Sequence, residues 1–156
     1  MGYERIIKPE GYLYHYTKKE YLDNILQDGR IRRYGDQECW FCTSLEDTLK
    51  LMENTVMMEG KSYYGVGGML KRYPAFVPKD YVILKLEQRY QNGVWVRWNQ
   101  ELPKGSPPES VEKARIFSHL KVGFRGDLKF KENPEIIEVT ALLEEDQTPH
   151  YRWDNE

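Results

Sequence analysis

The sequence predicts an α+β fold with a mostly antiparallel sheet. Two observations support this class. The predicted elements run strand, helix, strand, helix, and about four further strands follow. Hairpin-type junctions dominate the second half, whereas a parallel, doubly wound sheet requires long crossovers between its strands. The 156 residues contain no repeat and no linker, so we expect one domain over residues 1–156.

The first predicted strand covers residues 11–17, which are rich in aromatic residues and follow a turn around Pro9. Strand geometry places alternate side chains on opposite faces: Tyr12, Tyr14 and Tyr16 on one, and Leu13, His15 and Thr17 on the other. Residues 18–29 carry apolar side chains at helical spacing. We expect this helix to end at Gly29 in a left-handed cap.

A basic turn at 30–33 and a polar loop lead to the second predicted strand, CWFCTS at 39–44. Ser44 is expected to cap the second helix, with Asp47 at the capping-box position. The predicted buried stripe of this helix consists of Leu45, Leu49, Met52 and Val56. Residues 57–79 show no sustained period and contain Gly65, Gly67 and Gly68, so they predict a long functional loop or lid.

Four strands are predicted in the remainder of the chain. They lie at 81–86, from Val94, at 122–130 and at 135–143. The first two are expected to be joined through 91–93 in a hairpin-like connection. A short helix is predicted to open at Ser110, and the polar tail from 144 is expected to fray.

Composition and charge limit the classes of function. A hydrophobic share of 40% supplies material for a core, and a net charge of −2 removes the broad positive field of a dedicated nucleic-acid coat protein. The N-terminus has no apolar signal region, and no apolar run approaches the ~20 residues of a membrane span. We therefore expect a cytoplasmic protein that does not engage a membrane.

The two cysteines, Cys39 and Cys42, form a CxxC pattern. A structural zinc site needs four ligands, but His15, His119 and His150 are scattered singly. The flanking aromatic residues indicate a strand, whereas a thioredoxin-type site lies at the start of a helix. We expect structural thiols and no metal.

Residues 11–52 resemble the front half of the ADP-ribosyltransferase superfamily of the His-Tyr-Glu type. The resemblance rests on the strand LYHYT, a helix closing with ILQDGRI, and the strand WFCTS running into a helix, with a weaker match near 135. It is strongest to small bacterial and phage members, the DNA-targeting ADP-ribosyltransferase toxins and HYD1-type domains. It implies a split, mostly antiparallel β-sandwich with short flanking helices.

The resemblance also implies an activity. Such enzymes take NAD as substrate, cleave the nicotinamide glycosidic bond and transfer ADP-ribose to a macromolecular acceptor, either protein or nucleic acid. A toxin of this kind would be accompanied by a cognate antitoxin.

Binding roles follow from the resemblance position by position. His15 matches the histidine that bonds the adenosine-side ribose hydroxyls, and the backbone of Tyr16 would clamp the nicotinamide amide. Thr17 matches the small hydroxyl residue that follows. Thr43 and Ser44 match the polar exit from the second strand.

The resemblance implies that an aromatic residue of the second strand, Trp40 or Phe41, stacks on the nicotinamide ring. The family often has another Tyr where Leu51 stands here. Stacking would then be one-sided, or Tyr63 or Tyr64 would supply the second ring.

The superfamily also needs a carboxylate from a late strand, which stabilises the cationic sugar as nicotinamide leaves. The candidates are Glu135 and Glu138, which an odd spacing places on opposite faces of the strand. We favour Glu135, which opens the strand after Pro134, and Glu138 is the alternative.

Other interpretations stay open. RNA 2′-phosphotransferases share the fold but need more histidines and arginines, for which His119 and Arg125 are the late candidates. A non-enzymatic binding or inhibitor module would keep the fold and lose the carboxylate geometry. The arginines at 30–33 form either a solvated turn or a contact to a pyrophosphate or nucleic acid. The glycines at 65–68 lack the GK[ST] ending of a phosphate loop.

Overall fold

The computed structural model describes residues 2–33, 37–57, 59–64, 66–89, 91–99 and 104–143. Its strands are β1 Gly2–Ile6, β2 Leu13–Lys18, β3 Arg30–Ile31, β4 Glu38–Phe41, β5 Ser62–Tyr64, β6 Leu70–Arg72, β7 Tyr81–Leu86, β8 Val94–Asn99, β9 Val122–Arg125, β10 Leu128–Lys129 and β11 Glu135–Glu138. Its α-helices are α1 Leu22–Asp28, α2 Leu45–Glu53 and α3 Pro108–His119, and residues 139–143 are also helical. Single 3₁₀ turns cover Lys19–Tyr21, Val66–Gly68 and Pro78–Asp80.

The described strands form two main sheets and two small ones, and all of their pairings are antiparallel. One main sheet has the order β1-β8-β9-β4, and the other has the order β11-β7-β2. The small sheets pair β10 with β3 and β5 with β6. The predicted α+β class with antiparallel sheets is therefore confirmed.

The central strand β7 of the three-stranded sheet is buried on both of its faces. Val82, Ile83 and Leu84 of the central strand β7 have no exposed surface. Side chains of one face pack with the four-stranded sheet in the largest apolar cluster, while the other face packs with α2 and residues 139–143. Burial on both faces explains why residues 82–84 of β7 are all apolar and show no alternation.

Two caps are confirmed. Gly29 has φ +69° and donates its N–H to the carbonyl of Ile25, as expected of a left-handed helix end. The Ser44 hydroxyl accepts the N–H of Asp47 at 3.1 Å and so caps α2. The predicted stripe of α2 was too narrow, because Thr48 and Leu51 are buried too and Val56 lies beyond the helix end.

The predicted hairpin between the strands at 81–86 and 94–99 is wrong. β7 pairs with β2 and β11, whereas β8 pairs with β1 and β9. Gly93 has no positive φ, and a β-carbon there would lie 2.3 Å from the Phe124 ring. This glycine therefore permits close packing and does not form a hairpin turn.

Other predicted elements also differ from the structure. The segment predicted as a long loop contains the hairpin β5–β6, with Met58 and Gly65 outside the described residues. The basic turn begins with strand β3, and β1 was not predicted. Gly126, with φ +132°, divides the strand predicted at 122–130 into β9 and β10.

The termini of two predicted elements shift as well. Helix α3 begins at Pro108, ahead of the predicted Ser110, and the strand predicted at 135–143 ends at Glu138, where a helix takes over. The tail predicted to fray, 144–156, lies outside the described residues. In the part of the chain that is described, no helix has the length and apolar character needed to cross a membrane.

Candidate functional site at His15

The site is built where β2 and β4 separate. Tyr14 and Cys42 form an isolated bridge, in which each N–H donates to the carbonyl of the other at 2.8 and 2.9 Å. In a continuing antiparallel ladder, Tyr16 and Trp40 would form the next hydrogen-bonded pair. Instead, Nδ1 of His15 donates to the Trp40 carbonyl at 2.9 Å. The imidazole thus takes the acceptor that Tyr16 would use, and the strands part.

This hydrogen bond fixes the protonation of His15. A carbonyl oxygen only accepts, so Nδ1 carries the proton and Nε2 is an acceptor in the neutral ring. Burial lowers the pKa of His15, and the bond to Trp40 opposes this shift without cancelling it. The ring is therefore neutral at pH 7, in the form that can accept a hydroxyl hydrogen.

His15 borders two clefts. The first, here the polar cleft, has a volume of about 630 Å³ and lies between β2, α1 and β3, with Thr17, Asn24, Asp28, Arg30 and Arg32 among its lining residues. The second, here the aromatic cleft, has a volume of about 270 Å³ and lies between β2, β4 and α2. Tyr14, Tyr16, Trp40, Leu51, Thr55 and Lys121 are among its lining residues.

Two arginines of the polar cleft are held by aspartates. Nε of Arg32 donates to Asp28 at 2.7 Å, and Nη1 of Arg30 lies 3.4 Å from Asp127. The hydrogen bond from Arg32 lowers the pKa of Asp28, so this carboxyl is ionised at neutral pH. A guanidinium has five N–H donors, so both arginines keep donors for a further acceptor such as a phosphate.

The aromatic cleft contains a hydroxyl pair and a lysine. The hydroxyls of Tyr16 and Thr55 lie 3.0 Å apart. Leu51, at the position where the resembled family often has Tyr, does face this cleft. Nζ of Lys121 lies 4.7 Å from the centroid of the Trp40 ring, and burial lowers the pKa of this lysine.

Trp40 and Phe41, of which one was predicted to stack on nicotinamide, differ in how far their rings are buried. Phe41 is among the residues that line the aromatic cleft, but it is 1% exposed and packs against His15 and Trp95, so its stacking on a ligand stays a prediction. Trp40 borders the aromatic cleft and rests on Gly123, where a β-carbon would come within 2.9 Å of the ring. The alternative partners, Tyr63 and Tyr64, have side chains outside the described part of the structure.

Strand register decides which glutamate shares the face of His15. Residues paired across antiparallel strands point to the same face of a sheet. Glu135 pairs with Lys85, which pairs with Tyr14, so Glu135 lies on the face opposite to His15. Glu135, which the sequence favoured as the catalytic acid, thus does not share the sheet face of His15, and its catalytic role stays a prediction.

Glu138 lies on the face of His15. It pairs with Val82, which pairs with Thr17 on β2, so Glu138 and Thr17 are two strands apart, about 10 Å. Its carboxylate contacts Nζ of Lys19 at 2.6 Å, and both side chains are nearly half exposed. Neither Glu138 nor Glu135 is among the described residues that line the two clefts.

Of the remaining predicted binding residues, only some line one of the two clefts. Thr17 lines the polar cleft, whereas Thr43 is exposed and Ser44 is engaged in capping α2. His119 bonds to a carbonyl of its own helix, and Arg125 pairs with the buried Glu38. The two late residues considered for a phosphotransferase are therefore occupied away from the polar cleft.

Cys39 and Cys42 are free and buried. Burial raises the pKa of Cys39 to about 12 and that of Cys42 to about 11, so both are thiols at neutral pH. Within the described residues, no group of three or more His, Cys, Asp or Glu side chains could hold a metal ion. His150 lies outside those residues.

Asp28 and Lys121 are among the cleft residues that were not predicted from the sequence. Asp28 lies at the C-terminus of α1 and forms an ion pair with Arg32, four residues later. The sequence analysis did not identify this pair. Lys121 meets Trp40 only through the pairing of β9 with β4. The first contact could have been found from its spacing, whereas the second depends on the tertiary fold.

Comparison of the chain with protein-family models, with curated proteins and with solved structures gives no match in any of the three.

Proposed function

We propose that the chain binds NAD at the two clefts beside His15 and transfers its ADP-ribose moiety to a macromolecular acceptor. The proposal rests on the neutral imidazole of His15, which bonds from β2 to the Trp40 carbonyl of β4. The aromatic cleft lies on one side of this ring, and the polar cleft with its arginines lies on the other. NAD combines a planar ring, ribose hydroxyls and a pyrophosphate. The clefts offer groups that complement each of these parts.

We assign three contacts to NAD in this proposal. Nε2 of His15 accepts a ribose hydroxyl, because Nδ1 is committed to Trp40. Tyr16 directs its backbone N–H and carbonyl to the same side as those of Tyr14, towards the diverging β4, where they match the acceptor and donor of a carboxamide. Arg30 and Arg32 supply donors for the pyrophosphate.

The carboxylate that we assign to the reaction is Glu138. When the glycosidic bond breaks, its electron pair leaves with nicotinamide and positive charge develops on the ribose, which a carboxylate stabilises. Glu138 shares a sheet face with His15, and its partner Lys19 is an exposed side chain. Exposed ion pairs are worth only about 0–1 kcal/mol, so a substrate can displace Lys19 at little cost.

Thermal unfolding with and without NAD tests the binding half of this proposal. A ligand that binds only the folded chain raises the melting temperature. We expect such a rise for the wild-type protein and for a His119→Ala control, and its loss in His15→Ala. An unchanged melting temperature of the wild type at millimolar NAD would contradict the proposal.

A second candidate is a binding module that holds NAD or a related nucleotide without cleaving it. The absence of Glu135 and Glu138 from the described lining of both clefts favours this alternative. Release of nicotinamide separates the two candidates. Wild-type protein that is stabilised by NAD but releases no nicotinamide over hours, with or without added protein or nucleic acid, is a binding module.

A further inference from the structure

The wall of the polar cleft formed by α1 and the turn before it carries an aromatic ring and two side-chain amides. Tyr21 is 51% exposed, and Asn24 and Gln27 are exposed as well. All three residues line the cleft. Within the described part of the chain, neither amide forms a side-chain hydrogen bond, so each keeps a donor and an acceptor for a ligand.

Helical spacing decides which amide lies beside the ring. Tyr21 has helical backbone angles and is the N-cap residue of α1. Residues three apart on a helix are neighbours on its surface, whereas residues six apart are not. Asn24 is therefore the neighbour of Tyr21, and Gln27 lies further along the helix. A planar group stacked on the Tyr21 ring would meet the Asn24 amide at its edge.

The charged side chains of the polar cleft lie at the other end of α1. Asp28 is the last residue of this helix and holds Arg32, and Arg30 follows the cap at Gly29. Asn24 and Asp28 are four residues apart, so about 6 Å along the helix axis separates the amide from the charged end. A ribose joins a base to its phosphate over a similar distance. The cleft thus offers a neutral end for a base and arginine donors for a phosphate.

We propose that α1 recognises the adenine base of bound NAD, with Tyr21 stacked on the base and the Asn24 amide bonded to its edge. This inference rests on the proposed function and names the residues that select the base. Adenine carries its N6 amino donor beside the N7 acceptor, and an asparagine amide matches this pair with two hydrogen bonds. The tyrosine ring provides a flat apolar surface for stacking.

Hypoxanthine differs from adenine at the edge that Asn24 would bond. It carries a carbonyl oxygen in place of the N6 amino group, so two acceptors face the amide and the amide oxygen loses its donor. Calorimetry gives the Kd of each dinucleotide. We expect the wild type to bind nicotinamide hypoxanthine dinucleotide at least about tenfold more weakly than NAD, as is typical of a bidentate contact to a base.

Asn24→Ala and Gln27→Ala form a matched pair, because both remove an exposed amide from the same helix and the same cleft. Asn24→Ala should bind NAD about tenfold more weakly and bind the two dinucleotides equally well. Gln27→Ala should keep the affinity and the preference of the wild type. Loss of the preference in Gln27→Ala, with Asn24→Ala unchanged, would overturn the assignment to Asn24.

Tyr21→Leu tests the stacking contact. Stacking does not depend on the amino group, so this variant should bind both dinucleotides about tenfold more weakly and keep the ratio of their affinities. Tyr21→Phe retains a ring and should match the wild type. An affinity of Tyr21→Leu equal to that of the wild type would show that no base stacks on this residue.

Adenosine monophosphate and inosine monophosphate separate this inference from the proposed function, because they contain the base and a phosphate but no nicotinamide. A preference for the adenosine nucleotide that Asn24→Ala abolishes, in a protein that releases no nicotinamide from NAD, supports the adenine site and overturns the transferase proposal. Cleavage of NAD without any preference between the bases overturns the role of α1 alone. A wild type that binds neither mononucleotide nor NAD overturns both. Circular dichroism and melting temperatures establish that the variants are folded.

Discussion

Nδ1 of His15 and the backbone oxygen of Trp40 are joined by a hydrogen bond of 2.9 Å, and this bond holds β2 and β4 apart. The His15 side chain thereby takes the place of the Tyr16 N–H as the donor to Trp40. Its consequence is that Tyr16 keeps its peptide groups directed towards the aromatic cleft.

The stability of the protein should depend on pH through His15. Burial lowers the pKa of this imidazole below 6.5, whereas in the unfolded chain it titrates near 6.5. Between the two values the unfolded chain holds more protons, so stability falls as the pH drops below 6.5 and stops falling below the lowered pKa of the folded state. Urea denaturation from pH 7.5 to pH 5 measures this slope.

The matched variants for this measurement are His15→Gln and His119→Gln. His15→Gln should have a flatter dependence on pH in that window, because it lacks the buried titrating group. His119→Gln should behave as the wild type does, because this side chain is exposed on α3. Equal pH slopes for all three proteins would contradict the burial argument.

Glu138→Gln should abolish nicotinamide release, and Glu135→Gln should leave it nearly unchanged. The two residues are three positions apart on β11, differ in sheet face and are both exposed, so neither substitution should unfold the chain. Loss of a charge that stabilises the transition state costs on the order of 10²–10³ in rate. Loss of activity in Glu135→Gln alone would mean that the reaction takes place on the other face of the sheet.

Gly123→Ala should lower the free energy of unfolding by about 1–3 kcal/mol, because the new methyl group would come within 2.9 Å of the Trp40 ring. Trp40→Leu removes the ring and should relieve most of this cost in the double variant. Chemical denaturation of the four proteins measures the coupling energy. Additive losses would show that Gly123 and Trp40 are not in contact.

Ser44→Ala should lower the free energy of unfolding by about 1 kcal/mol through loss of the α2 cap. The affinity for NAD should not change, since Ser44 is not among the described lining residues of the clefts. Thr43→Ala is the control, because that side chain is exposed. A weaker affinity for NAD in Ser44→Ala, beyond the effect on stability, would support the binding role implied by the family resemblance.

Local features of the fold could be predicted from the sequence. The alternation along β2 was correct because a strand fixes its own side-chain directions, and the caps at Gly29 and Ser44 were correct because each is completed within one helical turn. These predictions needed no knowledge of distant residues. The correctly predicted strand and helix contain His15, Thr17 and the α1 residues that line the polar cleft.

Strand partners could not be predicted in the same way. Asn92 and Gly93 form a dipeptide typical of hairpins, but Gly93 is required by the ring of Phe124, which lies far along the chain. The odd spacing of Glu135 and Glu138 showed that they differ in face and left open which one shares the face of His15. That choice depends on the register of β11 against β7, which local sequence does not encode.

The double burial of β7 has a consequence for how the site behaves in solution. Val82, Ile83 and Leu84 have no exposed surface, so we expect hydrogen exchange of their amides to be the slowest in the described chain. His15 on β2 pairs with Leu84 of β7, and Glu138 on β11 pairs with Val82 of β7. His15 and Glu138 therefore lie on a rigid frame, and the spacing between them should persist until the protein unfolds.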